Sequence, residues 1–202
     1  MKVIIPQDLN EINLGQMMQL ADIEKLEVEE IDKAKKVIKL LVKNVNDDNI
    51  DRIKVTDLLV MYQKLCAMTN TQTSLIKLMS IDGVKYGFNP DIQNISTGEF
   101  MDIDMLCKKM DKNLHQIMAI LYREVTTEGE GKYLIKEYDA EIEDRAKLFK
   151  DKMPASVAQS CLVFFYRLGK DYLKGTMESL QEDQKVKEVL TSVKGGDGIL
   201  YS

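Results

Sequence analysis

Apolar residues recur along this chain mostly at intervals of three and four, the spacing that places them on one face of an α-helix. The clearest run is 28–45. Val28, Ile31, Ile38, Leu41, Val42 and Val45 fall on one stripe, with Lys33, Lys35, Lys36, Lys39 and Lys43 mostly outside it. Glu29 and Glu30 come first and the lysines follow, the order that suits a helix dipole. Upstream, a short β-prone run over 2–5 is stopped by Pro6, and Asn13 is placed to cap a helix carrying Leu14, Met17, Met18 and Ala21. Asn46-Asp47-Asp48-Asn49 makes a turn. Thr56 then opens a second amphipathic stretch, with Leu58, Leu59, Met61, Tyr62, Leu65 and Cys66 on its apolar side, until 70–73 breaks the pattern.

The period changes over 75–90. Apolar residues alternate on both sides of Asp82-Gly83, a pair suited to the positive φ values of a tight hairpin turn, and Asn89-Pro90 ends the run. Ser96 and Glu99 stand at capping-box spacing. A helix is predicted over 112–125, burying Leu114, Ile117, Met118, Leu121 and Tyr122; 126–132 reads as a mobile loop, 133–135 as β-prone and 139–150 as a charged surface helix. Pro154 suits a helix N1 position. After it Val157, Cys161, Phe164, Phe165, Leu168 and Tyr172 share a face while Leu162 and Val163 add a second, which puts Phe164, Phe165 and Leu168 in the core or at a subunit contact. A weakly periodic stretch, 177–193, leads to a linker, Gly195-Gly196-Asp197-Gly198. Beyond it Ile199-Leu200-Tyr201 reads either as a tethered docking peptide or as a tail that folds back over an apolar spot on its own domain. The expected fold is therefore mainly α: a single compact helical domain over 1–193 with one small β-hairpin near 75–90, and a flexible C-terminal tail over 194–202.

Composition narrows the function classes. Three prolines and 11 glycines in 202 residues favour long helices over a many-turned β fold, and 12 methionines with no tryptophan suit a core, or a contact surface, that repacks easily. A net charge of −5 gives no whole-molecule pull toward nucleic acid or anionic lipid. Cys66, Cys107 and Cys161 are widely spaced without a CxxC pair, so neither a disulfide framework nor a zinc site is signalled. Residues 1–8 lack the apolar stretch of a signal peptide, and no run reaches the roughly 20 apolar residues of a membrane span, so the expectation is a soluble protein that stays where it is made.

Candidate chemistry is thin. His115 is the only histidine, which excludes a multi-histidine metal site, and it stands beside the apolar stripe of its helix. Gly129-Glu130-Gly131-Lys132 fails as a phosphate loop: Thr126 and Tyr133 occupy the positions that need Gly and Ser or Thr, and two glutamates would repel phosphate. Asp102, Asp104 and Asp111 lack the ligand ladder of an EF-hand. Asp139, Glu141, Glu143 and Asp144 read as a solvated helix face. The lysines of 33–43 lack the interleaved aromatics of a nucleic-acid surface. The expectation is no catalytic residue, no cofactor and no metal.

Several short phrases, in order, carry a resemblance: Ile5-Pro6-Gln7-Asp8-Leu9, Ile81-Asp82-Gly83-Val84-Lys85-Tyr86-Gly87-Phe88, Ser96-Thr97-Gly98-Glu99-Phe100, His115-Gln116-Ile117-Met118 and Leu162-Val163-Phe164-Phe165-Tyr166. Over 4–180 the chain resembles a family of small tailed-bacteriophage morphogenesis proteins, tail-assembly-chaperone-like. The resemblance implies a non-enzymatic assembly or virion-structural role through protein–protein contacts. Its partners would be other phage structural or assembly proteins or further copies of the chain. It would act in the host cytoplasm and either leave or remain in the virion. A free regulatory or host-takeover binding protein is the alternative reading.

Overall fold

The computed structural model describes residues 3–68 and 74–167. The chain divides into two compact units, Met1–Cys161 and Leu162–Ser202. In the first, helices α1 (Leu14–Glu24), α2 (Glu30–Leu41) and α3 (Val55–Met68) precede strands β1 (Leu78–Ile81) and β2 (Val84–Phe88). Helices α4 (Thr97–Cys107) and α5 (Met110–Leu121), strands β3 (Tyr122–Gly129) and β4 (Lys132–Ile135) and helix α6 (Glu143–Lys152) follow, and 155–161 is again helical. Of the second unit, 162–167 is described and is helical.

Asn13 caps α1 as its sequence predicts: its Oδ1 accepts from Gln16 N at 2.8 Å while its own N–H donates to Gln16 Oε1 at 3.0 Å. The stripe in α2 is shorter than its periodicity suggests. Val28 and Ile31 are each 42% exposed, and Ala34, Val37, Ile38 and Leu41 are the residues that face inward. They meet Leu58, Met61 and Leu65 of α3, with Leu9, Ile12 and Ile50 closing one core cluster. A β-like pairing ties 12–13 to 153–155, Leu14 N donating to Met153 O and Ala155 N to Ile12 O.

The hairpin at Asp82-Gly83 forms, with φ values of 51° and 81° and Ile81 paired to Val84, but it is half of a larger object. The sheet has four antiparallel strands in the order β1-β2-β3-β4, with α4 and α5 inserted between β2 and β3. Two expectations are corrected here. The helix predicted over 112–125 stops at Leu121, because Tyr122 pairs with Phe88 and Glu124 with Tyr86, so the chain passes from helix to strand without a loop. The segment 126–132 is no open loop. It is the end of β3, a turn at Glu130-Gly131 with φ of 51° and 75°, and the start of β4. The charged helix is α6, beginning at Glu143 rather than 139. Phe149 of α6 is fully buried, its ring meeting Tyr86 edge-on at 5.0 Å between centroids. The expected boundary at 193 and the tail 194–202 lie outside the described residues.

Candidate contact surface

Helix α4 starts at the Ser96–Glu99 capping box: Ser96 Oγ accepts from Glu99 N at 3.2 Å, and Ser96 N donates to Glu99 Oε2 at 3.0 Å. Its inward positions follow helical spacing, with Glu99 and Leu106 buried and Asp102 and Ile103 half-buried between them. Its outward positions are Phe100, Met101 and Met105, exposed at 60%, 63% and 59%. The first turns of this helix are therefore inverted. A glutamate and an aspartate face the protein, while an aromatic ring and two thioethers face out.

The inward carboxylates are met by a matching set. Arg123 of β3, as buried as its partner, places Nη2 3.0 Å from Glu99 Oε1. Its guanidinium lies over the ring of Tyr138, 5.9 Å from the centroid. The Tyr138 hydroxyl donates to Asp102, one turn along α4 from Glu99. Burial and that hydrogen bond push the phenol above its ordinary range, so it is the donor throughout the working pH. Glu99, Arg123, Tyr138 and Asp102 thus close a ring that leaves α4, crosses β3 and the segment after β4, and returns to α4. The Arg123 Nε–H is buried without a hydrogen-bond partner, so the ring is not fully satisfied.

The other candidates do not converge on chemistry. Asp104 pairs with Lys108 at 3.7 Å and Asp111 with Lys25 at 2.7 Å, so these two and Asp102 each serve a different partner. Among the described residues no group of three or more His, Cys, Asp or Glu is gathered to hold a metal. Lys33, Lys35 and Lys39 meet Glu24, Asp51 and Asp47, which neutralises much of that basic face. His115 is half-buried with Nδ1 unpartnered, and burial, then the Lys150 charge, push it below its ordinary 6.5. A groove of about 740 Å³ runs between Val3, Ile5, Ile53, Val60 and Met61, with Arg52, Lys54 and Asp57 also lining it. No helix among the described residues is long and apolar enough to cross a membrane.

Of the residues expected to make contacts, Phe164 and Phe165 are half-buried, their ring centroids 5.3 Å apart in an edge-on pair. Leu168, Ile199, Leu200 and Tyr201 lie outside the described residues. Phe100, Met101 and Met105 were not singled out by pattern, although a signal was present: the apolar positions of 97–107 do not collect into one stripe, so some must be left outside any single buried face. No protein-family model, curated protein or solved structure matches this chain. Its architecture, helices with a small antiparallel sheet, carries no activity by itself.

Proposed function

We propose that this protein acts without catalysis, by binding another protein through the outer face of α4, and that it does so in the assembly of a bacteriophage particle. The observation that carries the contact reading is the inversion of α4. Fully burying a Phe or Met side chain is worth roughly 1.5–3 kcal/mol, and burying a carboxylate is unfavourable unless it is paired. A helix with no task beyond packing would turn Phe100 and Met101 inward and Glu99 outward. Holding the opposite arrangement, with a dedicated arginine to make it tolerable, makes sense if the apolar face is meant for a partner. Thioethers suit such a face because they adapt to the surface they meet. The phage setting rests on the order of the short sequence phrases and on nothing in the fold.

The test is site-specific photo-crosslinking of the full chain in phage-producing cells. A crosslinker at Met101 or Met105 is expected to trap a discrete partner, one at exposed Lys64 is not, and Phe100→Ser is expected to abolish the adduct. Equal labelling from all three positions, or none, would reject the α4 face. Mass spectrometry of purified particles then distinguishes a retained subunit from a factor that leaves, and recovery of the adduct only with host proteins would reject the assembly role.

A further inference from the structure

We infer that Glu99 and Arg123 are the positioning pair of the contact face: they hold α4 in the presenting orientation, and α4 loosens as a unit when the pair is lost. The inference rests on the contact reading above and adds how that face is controlled. Three observations support it. Near its start α4 is fastened by polar contacts rather than apolar burial, because Phe100 and Met101 point away from the protein. Only two residues of α4, Glu99 and Leu106, are buried, and they lie toward its two ends. The Leu106 end has its own ties, Asn113 Nδ2 donating to Leu106 O at 3.1 Å and Lys109 N to the same oxygen.

Glu99 does two things at once with one carboxylate. One oxygen caps the helix through Ser96 N–H and the other meets Arg123. Removing the guanidinium takes away the contact that draws this side chain inward and also leaves its charge buried and uncompensated, a strongly unfavourable state that turning outward relieves. Turning Glu99 outward rotates Phe100 and Met101 with it, since they sit on the same helical turn. Loss of Arg123 therefore acts on the contact face even though Arg123 is not part of it. Asp102 and Tyr138 complete the ring and limit the rotation.

Hydrogen–deuterium exchange of the full chain, read by mass spectrometry, tests this beside the Met101 crosslink. Arg123→Met is expected to speed exchange of α4 amides by roughly tenfold or more while α2 and β2 keep their protection. Arg123→Lys, which keeps the charge, is expected to restore part of it. The double variant Glu99→Gln/Arg123→Met, which has no stranded charge, is expected to stay loose in α4. Return of the double variant to wild-type protection would show that only the stranded charge mattered, and would overturn the inference. So would a parallel loss of protection in α2 and β2, or an unchanged crosslink yield in a loosened α4. Absence of any crosslink in the wild type, with α4 loosening as expected, would instead remove the contact reading and leave the fastening intact.

Discussion

At the scale of single residues the protein handles polar groups in two ways. Arg123 and Glu99 are buried charged and paired, whereas His115 is half-buried beside Lys150 and is held neutral. The His115 pKa is depressed in the folded state, first by burial and then by that lysine. Above about pH 6.5 the imidazole is neutral in folded and unfolded chains alike, and its contribution to stability is complete. As pH falls below that value the unfolded chain takes up the proton first, so stability is lost progressively until the folded pKa is reached. Thermal melts between about pH 7.5 and 5.5 are expected to show a falling Tm, and His115→Gln is expected to flatten that slope. An identical slope in the variant would assign the effect to other groups.

At the scale of elements, the sheet depends on a close approach that neither strand announces. Tyr133 of β4 reaches over β3, its hydroxyl donating to Phe88 O at 2.6 Å and its ring lying on Gly87 of β2. A Cβ at Gly87 would stand 2.5 Å from Tyr133 Cε2, closer than any real contact. Gly87→Ala is expected to cost about 1–3 kcal/mol in urea denaturation by forcing the ring aside. Much of that is expected to disappear against a Tyr133→Ala background, since the obstacle is gone. Simple additivity of the two changes would mean that ring and glycine do not meet. The same element illustrates a limit of pattern reading. The β-branched run Val125-Thr126-Thr127 and the Glu130-Gly131 turn were available as hairpin signals, but charge and glycine content favoured a loop reading; the segment pairs with β4, continuing a strand that begins against β2.

At the scale of the whole unit Met1–Cys161, the three thiols report on its closure. Cys161 is fully buried and its thiol is pushed up to about 12 by desolvation, whereas Cys107 is exposed at the end of α4. A thiolate-selective reagent at neutral pH is expected to label Cys107 in the native protein and Cys161 only at the rate of unfolding. Labelling of Cys161 that outruns loss of far-ultraviolet circular dichroism would show that its surroundings open locally. The measurement is best made in a Cys66→Ser background, which leaves the two extremes.

What the sequence alone determined is whatever depends on neighbours a few residues apart. The caps at Asn13 and Ser96, the Asp82-Gly83 turn and the buried faces of α3 and α5 are all of this kind, because a cap or a stripe is satisfied within its own turn or heptad. Mainly α with a minor sheet followed from summing such signals. Tertiary structure decided what depends on residues far apart. It ended α5 at Leu121 because Phe88 waits for Tyr122, and the strand begun there against β2 at 122–124 runs on to pair with β4 from Val125 to Gly129. It also turned Glu99 inward. Within 96–107 the pattern says only that some apolar residues must stay outside; that Glu99 is the buried one and Phe100 the exposed one follows only once Arg123 and Tyr138, brought near by the sheet, make the inner side of α4 the polar one.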